Sequence, residues 1–206
     1  MSSILEIKNL YLKAGEKELC SDFSLSLKKG DKAVVEGSSG TGKSTLIHTI
    51  LGFFPDYKGS IRFMDKELSP ETVHFFRTGI AWMPQQITFR GKVLGFFEKT
   101  FDFHVNRHLR PTEKEISDYI GLFKLDKDTP DKKFEQISGG EKQRVILMVV
   151  LLLKRPLLLL DEPVSSLDEE NKTVVTDVIL GNPALTVLSA SHDKTWNSRC
   201  TINKPF

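Results

Sequence analysis

The chain has 206 residues, of which 39% are hydrophobic and 27% charged, and 29 basic against 27 acidic side chains leave a net charge of +2. This length predicts one compact domain with room for an additional lobe, large enough to fold without disulfides. The near-neutral balance excludes an acidic disordered chain, and it gives no electrostatic case for nucleic-acid binding. Cys20 and Cys200 are too far apart in sequence to indicate a disulfide framework or a paired-cysteine metal site.

The first part of the chain predicts strands around a glycine-rich loop. Apolar and polar residues alternate in two early segments, which indicates an N-terminal antiparallel β-subdomain with one solvent-facing side. After the loop, apolar side chains at helical spacing run from Leu46 to Leu51, and Gly52 provides a helix stop. The predicted strands of this part are residues 5–8, 23–28, 33–36, 61–64 and 80–83.

The middle of the chain differs from the preceding part in its composition and in the spacing of its apolar residues. Residues 88–135 are rich in phenylalanine and charge, and their apolar positions follow helical spacing, as at Ile116, Tyr119, Ile120 and Phe123. We therefore expect an inserted α-helical lobe within a single domain that spans residues 1–206.

One apolar segment has to be tested as a membrane span. Residues 145–153 read VILMVVLLL and residues 157–160 read LLLL, with Lys154, Arg155 and Pro156 between them. The longer run is less than half of the roughly 20 residues that a span requires, and two charges and a proline interrupt the pair. A buried helix, a tight turn and a buried parallel strand fit better. The predicted elements of this part are helix 141–153, strand 157–160, helix 168–180 and strand 185–188.

The glycine-rich loop fits the phosphate-binding pattern GxxxxGK[ST], because it reads GSSGTGKS and lies between a predicted strand and a predicted helix. Its glycines let backbone amides surround an anion at the helix N-terminus, Lys43 is placed to reach the β- and γ-phosphates, and Ser44 to ligate Mg²⁺. With strands and helices alternating around it, the chain is predicted to be an α/β P-loop NTPase with a mostly parallel core sheet. The predicted nucleotide-binding residues of the loop are Gly37, Ser38, Ser39, Gly40, Thr41, Gly42, Lys43, Ser44 and Thr45.

The apolar strand at residues 157–160 ends in Asp161 and Glu162, followed by Pro163. Downstream of a phosphate loop, an aspartate at such a strand end is the expected ligand for Mg²⁺. The adjacent glutamate can polarise a water molecule for attack on the γ-phosphate.

Residues 137–144 read ISGGEKQR, which resembles the signature segment of ABC-type ATPases. Gln85 then resembles the Q-loop glutamine of that family, residues 165–168 resemble its D-loop, and His192 resembles its switch histidine. These motifs stand in the family's order from Gly37 to His192 and cover nearly the whole chain.

The resemblance implies ATP and Mg²⁺ as ligands. Lys43, Ser44 and Thr45 would bind the phosphates and the metal, Asp161 would hold the metal largely through water, and Gln85 would meet the metal or the attacking water.

Catalysis and dimerisation are also implied by the resemblance. Glu162 would be the general base, and His192 would contact the γ-phosphate and orient the water. Two chains would form a head-to-tail homodimer around two ATP molecules, with Asp168 helping to couple the sites. The residues that would contact the partner's γ-phosphate are Ser138, Gly139 and Gly140.

The chain departs from the family pattern at two positions. The signature has Glu141 where glutamine is usual, and we expect its charge to point away from phosphate or to meet a cation such as Lys142 or Arg144, tuning the rate without abolishing activity. The usual adenine-stacking aromatic is replaced by Ala14, so either Tyr11 stacks on the base or adenine is held loosely.

The residues just after Gln85 indicate a partner. An apolar set beside a nucleotide-sensing glutamine suits a groove for a short helix of an integral-membrane permease, and we expect two or three members to be exposed. The set is Ile87, Phe89, Phe96, Phe97, Phe101 and Phe103.

The resemblance implies an ATP-hydrolysing subunit of an ABC membrane transporter, on the cytoplasmic face of the membrane, with its permease on a separate chain and no nucleic acid as a partner. Two alternatives remain: a soluble ATPase of the same superfamily, such as one for iron–sulfur assembly, and a DNA-repair or translation relative. The chain also looks like a small subgroup of iron-export ATPases, although lipoprotein-release and ion-importer ATPases share much of the pattern.

Overall fold

The computed structural model describes residues 3–206, which form two sheets and seven α-helices. The order of elements follows the predicted alternation of strands and helices. In chain order they are β1 Leu5–Ala14, β2 Lys17–Leu27, β3 Lys32–Glu36, α1 Lys43–Ile50, β4 Tyr57–Phe63, β5 Lys66–Glu67, α2 Val73–Gly79, β6 Ile80–Met83, α3 Val93–Asp102, α4 Glu113–Leu122, α5 Gly139–Leu152, β7 Leu157–Asp161, α6 Glu169–Leu180, β8 Val187–Ala190, α7 Lys194–Asn197 and β9 Ile202–Pro205.

The two sheets differ in the direction of their strands. The first has the order β2-β1-β4-β5 and is antiparallel, with Leu5 opposite Leu27 in the first hairpin. The second has the order β6-β7-β8-β3-β9 and is parallel throughout. The predicted α/β class, with an antiparallel β-subdomain at the N-terminal end and a parallel core, is confirmed.

The parallel sheet is covered on both faces because alternate side chains of each strand point to opposite sides. In β7, Leu158 and Leu160 join a core with α5 and α6, whereas Leu157 and Leu159 join a core with α1 and the antiparallel sheet. The site described below lies where the strands of this doubly covered sheet end.

The apolar run is a buried helix followed by a buried strand, as predicted. Residues 143–152 of α5 and all of β7 are buried, and Lys154 has a φ of 50° in the turn that joins them. Among residues 3–206, no helix is both long enough and apolar enough to span a membrane.

The phenylalanine-rich stretch is helical. It contains α3, α4 and two short 3-10 turns, Arg107–Leu109 and Thr129–Asp131, and it lies between β6 and α5. Phe97, Phe101 and Phe123 pack into the same core as α5. The description of residues 88–135 as an inserted lobe within a single domain of residues 1–206 stays a prediction.

Four elements were not predicted, namely β5, α2, α7 and β9. The last predicted strand, 185–188, is wrong by two residues, because β8 covers Val187–Ala190.

Candidate functional site

The phosphate loop connects β3 to α1 and turns through two left-handed glycines. Gly40 has a φ of 79° and Gly42 a φ of 109°, conformations that residues with a side chain adopt only with strain. Gly42 directly precedes α1, so the unpaired amide groups of the first helical turn face the loop. This arrangement suits a phosphate group.

Lys43 is folded into the loop. Its side chain is buried, and Nζ donates hydrogen bonds to the carbonyl oxygens of Gly37 at 2.7 Å and Ser38 at 3.0 Å. Thr41 Oγ1 also donates to the Ser38 carbonyl, at 3.1 Å. The ammonium group is therefore held inside the concave side of the loop, where it can exchange these carbonyls for phosphate oxygens.

Asp161 is a buried carboxylate at the end of β7, with an exposed fraction of 4%. Burial raises the pKa of Asp161, and a hydrogen bond from Ser44 opposes that effect. When burial removes a carboxylate from water, a nearby cation stabilises its charged form. The pairing of Asp161 with Ser44 therefore fits a hard divalent cation such as Mg²⁺.

Glu162 and His192 meet at the same edge of the sheet. Strands β7 and β8 are parallel neighbours, with Asp161 opposite Ala190, so the residues that follow them lie close together. His192 Nδ1 is 2.9 Å from Glu162 Oε1, and the histidine ring is largely exposed while the carboxylate is nearly buried. A carboxylate oriented by an imidazole is suited to proton transfer.

Lys43, Asp161 and Glu162 line one cleft of about 360 Å³, whereas His192 lies outside its lining and adjoins it through the contact with Glu162. The cleft brings the phosphate loop together with Gln85, Asp161 and Glu162. It also includes two residues that the sequence did not indicate, Lys17 and Leu19. The full lining is Ala14, Lys17, Leu19, Ser39, Gly40, Gly42, Lys43, Ser44, Thr45, Gln85, Asp161 and Glu162.

Tyr11 lies outside this lining. Its ring is half-buried on β1, with Lys58 Nζ 5.8 Å from the ring centroid. Ala14 itself forms part of the wall, and within residues 3–206 no aromatic side chain lines the cleft. Within residues 3–206, the structure thus brings no aromatic stacking partner for adenine into the cleft.

The signature residues begin α5, away from the cleft of the same chain. Ser138 caps the helix, and its Oγ accepts a hydrogen bond from the Glu141 amide at 3.2 Å. Glu141 Oε2 in turn accepts from the Ser138 amide at 2.8 Å, which lowers the pKa of Glu141. Neither Lys142 nor Arg144 is hydrogen-bonded to this carboxylate, since both donate to backbone carbonyls instead. The carboxylate points back to the start of the helix, and the nearby charge of Arg144 contributes to lowering its pKa. The expectation that its charge turns away from phosphate or meets a cation stays a prediction.

The apolar set after Gln85 is less exposed than expected. Phe97 and Phe101 are buried, and Phe103 is the only member of the set whose side chain is mostly exposed, at 66%. Phe89 and Phe96 are half-buried because they pack against Phe134, with ring centroids 5.8 Å and 5.4 Å from it. The expectation of two or three exposed members is therefore wrong.

A parallel sheet whose strand ends carry a phosphate loop, an Asp–Glu pair and a histidine defines a P-loop ATPase. The ABC transporter family matches residues 20–165, and the chain belongs to this family. It is an ATP-binding, ATP-hydrolysing subunit of a transporter.

The comparisons with individual proteins agree in fold and length. The chain is 31% identical over 198 residues to the ergothioneine transport ATP-binding protein EgtV of Helicobacter pylori strain G27, covering 94% of this chain and 92% of that protein. It is 29% identical over 196 residues to the probable iron export ATP-binding protein FetA of Escherichia coli K12, covering 94% and 86%. Among solved structures, cbiO1 of Clostridium perfringens, part of an ABC transporter complex, superposes with a TM-score of 0.76 at 22% identity, covering 94% and 80%.

Proposed function

We propose that this subunit hydrolyses Mg–ATP at the described cleft, as a head-to-tail homodimer, and drives a separate integral-membrane permease from the cytoplasmic face of the membrane. The observation that carries the proposal is the convergence of Lys43, Ser44, Asp161 and Glu162 on one cleft, with His192 against Glu162. The relatives' names, which describe ATP-binding proteins for transport, support the permease partner.

The phosphates are bound by the loop amides and by Lys43, which neutralises charge on the β- and γ-phosphates. Ser44 Oγ, the Asp161 carboxylate and Gln85 are the groups that would hold Mg²⁺. The metal, when bound, would neutralise phosphate charge and help to align the γ-phosphate for attack. The burial of Asp161 supports this assignment, because the carboxylate lacks the water that would otherwise stabilise its charge.

Glu162 acts as the general base. A water molecule attacks the γ-phosphorus, Glu162 takes its proton, and the bond to the β,γ-bridging oxygen breaks so that ADP leaves with the electron pair. His192 keeps the carboxylate in orientation through the 2.9 Å contact, and it is exposed enough to reach the γ-phosphate.

The dimer accounts for the signature residues. Ser138 and Gly139 are exposed, and the N-terminus of the 14-residue helix α5 favours an anion. Because these residues do not line the cleft of their own chain, we infer that they complete the phosphate site of a second copy.

The test compares Glu162→Gln with Lys43→Ala. Glu162→Gln should bind ATP, lose turnover by at least about 100-fold, and form a dimer at saturating Mg–ATP, measured by light scattering after size exclusion. Lys43→Ala should lose ATP binding and stay monomeric. A Glu162→Gln protein that binds ATP and remains monomeric would refute the head-to-tail homodimer.

The permease is tested separately, by co-purification of the tagged subunit from membranes. The cargo is to be sought in that partner, because relatives of similar identity are named for ergothioneine and for iron.

A further inference from the structure

The main chain of Glu162 is held in an unusual conformation. Its φ is 51°, in the left-handed region that a glutamate occupies only when its surroundings enforce it. Its amide donates to the carbonyl of Ala190 at 2.8 Å. Its carbonyl accepts from Gln143 Nε2 at 2.7 Å and from Ser165 Oγ at 3.1 Å. The peptide groups on both sides of the catalytic side chain are therefore fixed.

Gln143 is the buried member of this arrangement, with an exposed fraction of 4%. While Nε2 donates to Glu162, its Oε1 accepts the amide hydrogen of Ser166 at 3.0 Å. A neutral amide offers one donor end and one acceptor end, and each faces its complement here. An ionised glutamate could not donate to the Glu162 carbonyl, and a methionine could make neither bond.

The same residue belongs to the helix that carries the signature. Gln143 is five residues after Ser138, the N-cap of α5, which corresponds to about 7.5 Å along the helix axis. The loop of residues 163–168, which follows β7, packs against the first turn of α5. A Cβ atom added to Gly140 would lie 3.1 Å from the Ser166 carbonyl oxygen. Hydrogen bonds thus join the N-terminal end of α5 to the loop of residues 163–168 and to the Glu162 main chain.

We propose that Gln143 is a positioning residue for ATP hydrolysis, fixing the Glu162 main chain and linking it to the signature end of α5. This inference rests on the proposed dimer, in which Ser138 of each subunit contacts the ATP bound by the other. Any displacement of α5 by ATP at one site is then passed through the Gln143 amide to the catalytic carboxylate of the other site.

The kinetic test uses Gln143→Met, which keeps the side-chain volume and removes the hydrogen bonds of the amide to Glu162, Ser165 and Ser166. The Kd for ATP, measured without turnover, should stay within about twofold, because the phosphate loop is untouched, while kcat should fall about 10- to 100-fold. The matched control is Thr176→Val in α6, whose buried hydroxyl has no hydrogen-bond partner among residues 3–206. Its kcat should equal that of the wild type. Equal losses of kcat and ATP affinity in Gln143→Met would overturn the proposal, since they indicate a purely structural role.

A second measurement does not depend on turnover. Hydrogen exchange of the nucleotide-free full chain should be faster at residues 163–168 in Gln143→Met and unchanged in Thr176→Val. Unchanged exchange in Gln143→Met would overturn the proposal, whereas an inert wild type would refute the proposed function alone.

Should Gln143→Met not fold, Ser165→Ala removes the hydroxyl that donates to the same carbonyl from an exposed position, while the Ser165 amide keeps its 3.4 Å bond to that carbonyl. Its kcat should fall about two- to tenfold at unchanged ATP affinity. An unchanged kcat in this variant would count against positioning of the Glu162 main chain.

Discussion

Glu141→Gln tests the position at which this chain departs from its family's signature. At the N-terminus of α5, the Glu141 carboxylate accepts a 2.8 Å hydrogen bond from the Ser138 amide. Glutamine keeps the length and the acceptor oxygen but removes the negative charge, which the unpaired amides of the first turn favour. The variant should therefore lose the interaction of the charge with the helix and keep the hydrogen bond.

The expected magnitude is small and has a definite pH dependence. For a partly exposed side chain, loss of the charge costs about 0.5 kcal/mol, which lowers the Tm of a chain this long by about 1–2 °C. Because the Ser138 amide lowers the pKa of Glu141 from its ordinary value of 4.5, the stabilisation is complete above that value. It is lost as the pH falls through the lower folded-state pKa, so the difference between variant and wild type should vanish in acid.

The assay is thermal unfolding at pH 7 and in acid, with ATP turnover measured on the same samples. Turnover of Glu141→Gln should change without being abolished. Glu115→Gln is the matched control, because Glu115 forms the same reciprocal bonds with Thr112 at the start of α4, away from the cleft. It should lower the Tm and leave turnover unchanged. A Glu141→Gln protein at least as stable as the wild type at pH 7, or a deficit that persists in acid, would refute the reasoning.

Four further substitutions test three other contacts. His192→Ala removes the group that we propose orients the Glu162 carboxylate, so single-turnover hydrolysis should slow about 100-fold at unchanged ATP affinity. An effect smaller than about tenfold would exclude that role. Trp196→Phe removes the 2.8 Å hydrogen bond from the buried indole Nε1 to Ser189 Oγ, so the free energy of unfolding, measured in urea, should fall by about 2–3 kcal/mol. A fall of less than about 0.5 kcal/mol would contradict this prediction. Ala14→Tyr adds a stacking surface to the cleft wall and should tighten ATP binding by about 1–3 kcal/mol in calorimetry, whereas Tyr11→Leu should leave it unchanged; the reverse result would return the adenine contact to Tyr11.

The parts of the fold that follow from local pattern were predictable. Residues 157–160 are continuously apolar, and they form β7, buried on both faces. The position of β8 was not predictable in the same way, because Ser189 is a buried polar residue whose hydroxyl donates to the Ala33 carbonyl at 3.1 Å. Strand β9 has no hydrophobic alternation and exists through its pairing with β3. Such long-range pairing leaves no signal in the residues themselves.

The candidate site likewise contains residues that the sequence indicates and residues that only the tertiary structure brings together. The phosphate loop and Glu162 lie in sequence motifs whose residue types indicate phosphate binding and proton transfer. Lys17 and Leu19 reach the cleft only because the first hairpin places Lys17 opposite Ala14, a matter of register. Gln143 carries no such signal in the sequence, because its importance depends on which backbone groups the fold places at either end of its amide.

The turn between α5 and β7 has a consequence for folding in the cell. Before the core forms, the nascent chain exposes nine apolar residues, then Lys154, Arg155 and Pro156, then four leucines. Two charges and a proline at that point act as gatekeepers against intermolecular β-aggregation of the flanking segments. The turn that is a simple connection in the native state therefore protects the yield of folded protein during synthesis.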